Sequence, residues 1–391
     1  MKIVHVVDSM EVGGAEMLVA LLCRSQRGEG NDLSVHCLFA AGPLAEQLEQ
    51  EGIPVRVHRL GSGLVGQLRV MRDLYRSVAQ ERPDVVHCHN ILPTIMAGPA
   101  ARIAGTGAVF STRHGLATPY NAAPEIEGIT DSAGAFYRFR VAAAFCSRVV
   151  AVCDAARRNL ESGPGAFLNK VVTIRNGASA LSVSSKPDPL IRKEGFTLVH
   201  VARLHWKKNQ AGLLRAVSLA LQHVPDLFLW VVGDGDEAKS LHHLARELGI
   251  ESRVRFVGER KDVGDWLARA DLFVLSSLTE GLPVSLVEAI AAGLPFLVTN
   301  VGGMQEVAEL SGAGTVVEAN SPEALAEGIV QCARRRAELP DLGRRARHCY
   351  DTHFTPDLML RAYSQLYEDC LRRRGDRPRP LAQNSRNEGF R

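Results

Sequence analysis

The chain has 391 residues, of which 46% are apolar and 23% charged, and its formal net charge is +3. That length exceeds one ordinary domain, so two are expected, and so small a positive excess makes no case for nucleic acid as a partner. The eight cysteines are scattered, with no C-x-x-C pair, which reads as reduced thiols and not as a disulfide framework or a metal knot.

Taken in order, short β-rich runs alternate with helical patterns, the signature of parallel sheets wrapped by helices. The chain opens on a strand-like run, Met1–Asp8, without the long apolar core of a signal peptide. Strands are predicted near Ile3–Val7, Leu33–Phe39, Val55–Leu60, Val85–Cys88, Val109–Thr112, Val149–Val152 and Val171–Ile174, with helical patterns between them such as Ala15–Arg27 and Leu68–Gln80. The polar stretch Ala178–Gly195, broken by Pro187 and Pro189, reads as a linker. A second series follows, with strands near Thr197–Val201, Phe228–Val232, Val254–Val257, Leu272–Leu275 and Pro295–Thr299. The last helical pattern is Pro356–Arg372, with Leu358, Leu360, Tyr363, Leu366 and Tyr367 as its apolar positions. From residue 373 onward the chain is polar and arginine-rich, and disorder is expected. The expected layout is a first αβ domain over 1–177, a linker over 178–195 and a second αβ domain over 196–355. Two doubly wound domains place a ligand cleft between the carboxyl ends of their sheets. No apolar run reaches membrane-spanning length. A cytoplasmic protein is expected, at most peripheral at the inner face of the cell membrane.

Chemistry is concentrated on strand-to-helix turns. In Thr279–Glu288, read as T-E-G-L-P-V-S-L-V-E, an apolar run precedes a helical pattern for which Pro283 suits the first position. Glu280 then sits on the turn and Glu288 within the first helical turns. Free N–H groups at such a helix start favour an anion, and a carboxylate beside it suits a pair of sugar hydroxyls, as in ribose recognition. The plainer reading is a turn carboxylate and an exposed helix residue. Gly13 and Gly14 end the first strand's loop, where a backbone without a Cβ can approach a phosphate or merely make a tight turn. His87-Cys88-His89-Asn90 offers two alternate histidines, read as one buried and one facing the cleft, on opposite sides of the strand and without a shared metal. His114, in Thr112-Arg113-His114-Gly115, ends another strand and suits a hydrogen bond to a sugar or acceptor. Arg203 and Lys208 share one loop, where a guanidinium fork and an ammonium suit a diphosphate.

Two glutamates eight positions apart around G-x-P resemble the E-x7-E motif of retaining glycosyltransferases of the GT-B fold, family 4. Further segments resemble that family in order and spacing: Gly13–Glu16 (G-G-A-E), Val85–His89, Thr112–Gly115, Ala202–Asn209, Val232–Gly235, Phe256–Gly258 and Gly302–Glu306. Asn176-Gly177 departs from the family turn, with Arg175 for its proline and no following aspartate. The resemblance implies a nucleotide-diphosphate sugar donor and a glycan or lipid-linked acceptor, with no cofactor and no metal. It implies a role for Arg203 and Lys208 on the diphosphate, Glu288 on the ribose, Glu280 on the transferred sugar, and His114 near the reacting end. Gly13, Gly14, Gly233, Gly258, Arg260, Gly281, Leu282, Pro283 and Val284 complete the implied donor site. The terminal helix is expected to cross back onto the first domain. The D-x-D at Asp234 and Asp236 suggests the metal site of the other glycosyltransferase fold, but two equal αβ halves do not suit that fold, and a glycine turn is the simpler reading. Glu306 reads equally as an exposed helix residue. A sugar-nucleotide epimerase of the same layout and a non-catalytic nucleotide-sugar sensor are the alternatives. Two stretches mix basic with apolar residues, Phe136–Arg140 and Leu64–Arg76, and suit a membrane surface, although a core-facing helix is the simpler reading of each.

Overall fold

The computed structural model describes residues 1–61, 63–115, 133–162, 168–186 and 188–375. The predicted basic tail from residue 376 on, Pro187 in the linker, and the Phe136 side chain lie outside the described residues.

The first sheet comprises β1 (Lys2–Ser9), β2 (Asp32–Ala40), β3 (Val55–Val57), β4 (Val85–His89), β5 (Ala108–Arg113), β6 (Arg148–Ala151) and β7 (Val171–Thr173). These pair in parallel in the order β3-β2-β1-β4-β5-β6-β7. The second sheet comprises β8 (Phe196–Val201), β9 (Leu227–Val232), β10 (Val254–Phe256), β11 (Leu272–Leu275), β12 (Phe296–Thr299) and β13 (Gly314–Val317). It is also parallel, in the order β10-β9-β8-β11-β12-β13. Parallel strands are covered on both faces, so they read as continuous apolar runs. β11 and β12 are buried throughout. β13 escapes a sequence reading because it is an edge strand with all four residues half-buried. Its Gly314 is required by packing: a Cβ there would lie 2.1 Å from the Phe296 ring.

In each sheet the strand order reverses beside the first strand, between β1 and β4 and between β8 and β11. Ligands bind at such switch points in open α/β sheets. The loops that leave these four strands carry Gly13, Asn90, Arg203 with Lys208, and Glu280.

The final helix, Pro356–Gly375, runs three residues past the predicted end. Its Met359, Tyr363 and Tyr367 are buried among Ile3, Val7 and Phe110 of the first domain. The chain therefore returns across the molecule before it ends. At the crossing a Cβ on Gly177 would lie 2.5 Å from the Thr355 carbonyl oxygen, so only glycine fits. All eight cysteines are free. No helix among the described residues is long and apolar enough to cross a membrane.

Candidate active site

The second domain brings its predicted residues together through two pinned loops. Ser276, just past β11, donates to the carbonyl oxygens of Lys208 (2.9 Å) and Asn209 (3.1 Å), and the Leu278 N–H donates to the Lys207 carbonyl (2.8 Å). The Arg203–Asn209 loop is thereby fastened to the Ser276–Pro283 turn. Gln210 donates to the Arg203 carbonyl at 2.9 Å and fixes the loop's other end. As a result Lys208 Nζ ion-pairs with Glu280 Oε1, which also accepts from Ser277 Oγ at 2.7 Å. Glu280 Oε2 has no bond among the described residues.

Pro283 stands one position earlier than predicted. It caps the helix Val284–Ala291 with extended backbone, φ −63° and ψ 127°, instead of starting it. Glu288 lies on that helix, half-buried, and desolvation pushes its carboxyl up to about 7. The carboxyl has no compensating partner among the described residues to offset that desolvation.

Gly233 and Gly235 do not lie open to a phosphate. Cβ atoms on them would fall 2.0 Å from the Ala202 carbonyl and 2.3 Å from that of Leu204. They let the β9 turn press against the Arg203 loop. Asp234 spends one oxygen on the Gly235 N–H at 2.7 Å. Gly258 joins this turn by accepting from the Gly233 N–H at 2.8 Å. Arg260 is held by Asp188 (2.6 Å) and Asp262 (2.7 Å) beside Trp266.

The two domains touch at this site. Gly281 packs so closely on the first domain that a Cβ would lie 2.0 Å from the His114 carbonyl and 3.0 Å from Val152. Arg203 Nη2 donates to the Val12 carbonyl at 3.0 Å, beside Gly13 at the cap of the helix Gly14–Gly28. A Cβ on Gly14 would meet Val284 at 3.3 Å. Asn176 donates to the Leu282 carbonyl at 2.8 Å. Glu306 is not an exposed helix residue: it takes Arg175 Nε at 2.5 Å and the Asp154 N–H at 2.8 Å, both from the first domain. Sequence reasoning missed these cross-domain roles of Asn176, Arg175 and Glu306. The G-G-x-x-E pattern marked Glu306, but nothing in the chain named its partners.

The first domain contributes a histidine cluster where one buried and one cleft-facing histidine were predicted. His87 and His89 are both buried, and they share one face of β4. The prediction was wrong because side chains in a strand alternate with period two, so residues two apart face the same way. His5 pairs with His87 across β1 and β4 and adds a third ring. Ligand atoms of the three lie within 4.8 Å of one another. Each of their six ring nitrogens nevertheless has a protein partner. His5 bonds Gln26 (2.9 Å) and His89 (3.0 Å). His87 bonds Tyr367 (2.5 Å) and Thr112 (2.7 Å). His89 bonds His5 and His114 (3.1 Å). Burial lowers His5 and His114 to about 4, and holds His87 and His89 well below the usual imidazole range. The cluster is neutral and self-satisfied, so a metal would first have to break it. His114 sits just past β5 with its backbone N–H on Asn90 Oδ1 at 3.3 Å. Beside it a small cavity is lined by Asp8, Glu16, His89 and Asn90. Burial raises the Glu16 carboxyl, and Arg203 opposes that rise.

Two facing doubly wound domains, joined by a linker and closed by a returning C-terminal helix, define the GT-B fold. Two family models agree with this assignment and meet nearly end to end: Glycosyltransferase Family 4 matches residues 12–180 and Glycosyl transferases group 1 matches residues 184–348. The chain belongs to the glycosyltransferases that these models describe. One relative is the UDP-Gal:α-D-GlcNAc-diphosphoundecaprenol α-1,3-galactosyltransferase of Escherichia coli, 24% identical over 84% of this chain and 87% of that protein. Another is the N-acetyl-α-D-glucosaminyl L-malate synthase of Bacillus anthracis, 31% identical over 45% of this chain; that match spans under half of the relative, 46%. HepE of Anabaena, solved in complex with UDP, superposes with a TM-score of 0.79 at 23% identity, covering 94% of this chain and 100% of that one. WaaG, a glycosyltransferase involved in lipopolysaccharide biosynthesis, gives 0.69 at 19% identity, covering 93% and 99%.

Proposed function

We propose that this glycosyltransferase moves a sugar from a nucleoside-diphosphate donor to a glycan or lipid-linked acceptor, with retention of anomeric configuration and without a metal ion. The observation that carries the proposal is the Lys208–Glu280 pair at the start of the helix Val284–Ala291. Breaking the bond between the anomeric carbon and phosphate oxygen leaves growing negative charge on the diphosphate. Lys208, Arg203 and the open helix start supply fixed positive charge there, an effect that often dominates catalysis. Lys208 and Ser277 both bind Oε1 of Glu280, which leaves Oε2 for hydroxyls of the transferred sugar. Glu288 takes the ribose hydroxyls and His114 the sugar near its reacting end. The departing phosphate accepts the acceptor's proton on the face it leaves, which gives retention without a protein nucleophile. In this reading residues 1–177 present the acceptor and 196–355 hold the donor.

The E. coli relative's name gives it UDP-Gal and an undecaprenol-linked sugar, and HepE was solved with UDP. Uridine donors and a lipid-diphosphate sugar are therefore the first pair to try. The expected result is release of UDP and an α-linked product from an α-linked donor, by NMR, at a rate unaffected by a chelator. A β-linked product would require a protein base and overturn retention, and chelator-sensitive turnover would overturn metal independence.

A lipid-linked acceptor fits a peripheral membrane surface on the first domain. Leu64, Val65 and Leu68 are exposed on the helix Gly63–Glu81, whose other face buries Val70, Leu74 and Val78. Arg69, Arg72 and Arg76 are exposed on the same helix. Tyr137, Val141 and Phe145 are exposed at and just past the helix Ala133–Ala143. Apolar residues rimmed by arginine bind anionic bilayers. Flotation with anionic vesicles at low salt is expected to carry the protein upward, and Leu64→Ser with Leu68→Ser to leave it below. A wild-type protein that stays unbound would end the membrane reading.

A further inference from the structure

Three histidines of the first domain form a chain of contacts that runs from Gln26 to His114. Gln26 Oε1 can only accept, so the bond of 2.9 Å to His5 Nε2 requires the proton on His5 Nε2. A neutral imidazole carries one N–H. His5 Nδ1 is then a lone pair, and the contact of 3.0 Å requires His89 Nε2 to donate to it. His89 Nδ1 is in turn a lone pair, and the contact of 3.1 Å requires His114 Nε2 to donate. His114 Nδ1 is left as a buried lone pair without a partner among the described residues. Turning the Gln26 amide over would reverse every step, and His114 would present an N–H instead.

The neighbouring path imposes no such direction. His87 lies between the Tyr367 hydroxyl and Thr112 Oγ1, and Thr112 meets the Tyr363 hydroxyl at 3.1 Å. Hydroxyls can donate or accept. The Gln26 branch ends instead on an amide whose oxygen faces His5, so its direction is set by which way that amide is turned.

We propose that Gln26, His5 and His89 are positioning residues that fix the tautomer of His114, so that its Nδ1 accepts a hydrogen bond from a hydroxyl of the transferred sugar. The proposal rests on the glycosyltransferase reading of His114 given above. Burial keeps the three rings neutral, and this is what lets a single amide set the direction over so many bonds. A site built to accept a hydroxyl discriminates against donors that lack it.

The test uses the full chain carrying isotope-labelled histidine. Long-range proton–nitrogen NMR shows which ring nitrogen holds the proton, and His114→Gln assigns the His114 signal by its loss. The wild type is expected to show His114 with Nε2 protonated and Nδ1 bare. Gln26→Glu keeps an acceptor opposite His5 and is expected to keep that tautomer, whereas Gln26→Leu releases it to a mixture. The same preparations are assayed with a series of deoxy-sugar donors. Removal of the hydroxyl that meets Nδ1 is expected to cost the wild type and Gln26→Glu about tenfold in kcat/KM, and Gln26→Leu less than about threefold. A protonated Nδ1 in the wild type, or an unchanged tautomer in Gln26→Leu, would overturn the relay. Should Gln26→Leu fail to fold, the wild-type spectrum still decides. Absence of sugar transfer by the wild type would defeat the functional reading while leaving the tautomer question answered by the spectrum.

Discussion

Across the cleft, the second domain collects charge and the first collects neutral rings. Half-buried Lys208 and Glu280 and the buried Ser277 are held in one hydrogen-bonded knot, and Arg203 donates to the Val12 carbonyl of the first domain. Opposite, His5, His87, His89 and His114 are stripped of charge by burial; His5, His89 and His114 are held by one another, and His87 by Tyr367 and Thr112. Under the proposed function, the difference follows from what each side must do. Where charge develops during reaction, fixed charge lowers the barrier. Where a hydroxyl must be oriented, a neutral group of known polarity does so without a field that would compete with the departing phosphate. Removing charge should therefore damage the first side by rate, and removing direction should damage the second by selectivity.

That contrast can be broken on the second domain first. Lys208→Met removes the charge and keeps the stem, and kcat is expected to fall by about 10²–10³ with a smaller change in KM, read by steady-state release of nucleoside diphosphate. Next is the contact between the domains. Gly281→Ala would place a Cβ 2.0 Å from the His114 carbonyl, and the domains must part; kcat/KM is expected to drop about 10²-fold, the cost of misplacing reacting groups by about 1 Å, while the melting temperature changes little.

Glu288 sharpens the comparison through pH. Its carboxyl, raised by burial from 4.5 to about 7, is protonated in the empty protein below that value. If Glu288 takes the ribose hydroxyls as proposed, donor recognition needs the ionised form, so the apparent donor Kd is expected to rise as pH falls below 7, approaching tenfold per pH unit. Glu288→Gln is expected to bind more weakly at pH 8 and to lose this dependence, by titration calorimetry. The linkage to folding has the opposite sign. A carboxyl whose folded pKa is raised stabilises most below its unfolded value, and the contribution is lost as pH rises from about 4.5 through 7. Binding thus strengthens over the window in which stability declines. The smallest effect belongs to the cross-domain bridge. Glu306→Gln weakens its hold on Arg175 and is expected to reduce kcat/KM about two- to fivefold, as partly exposed ion pairs do, with the deficit shrinking at high salt.

How much of this was legible depends on whether a feature is local. β11 announced itself because burial on both faces demands an unbroken apolar run. β13 did not, since an edge strand beginning with the glycine that Phe296 requires has no such run. Glu280, Glu288, Arg203 and Lys208 were legible as candidates because each occupies a turn or helix start beside a recognisable strand. Their pairing was not, because it depends on Ser276 and Leu278 pinning one loop to the other. His87 and His89 were seen but misassigned to opposite faces. His5 and Gln26 were not seen at all. Only the β1–β4 register brings His5 beside His87, and only the docking of the helix Gly14–Gly28 brings Gln26 to His5.

The central claim is that Lys208 and Arg203 stabilise the departing diphosphate. Single-turnover release of nucleoside diphosphate by the Arg203→Ala, Lys208→Ala double variant, with folding verified by circular dichroism, tests it most directly. A fall of about 10³-fold or more below wild type is expected. A rate within about threefold of wild type, less than the loss of one ordinary hydrogen bond, would contradict the claim.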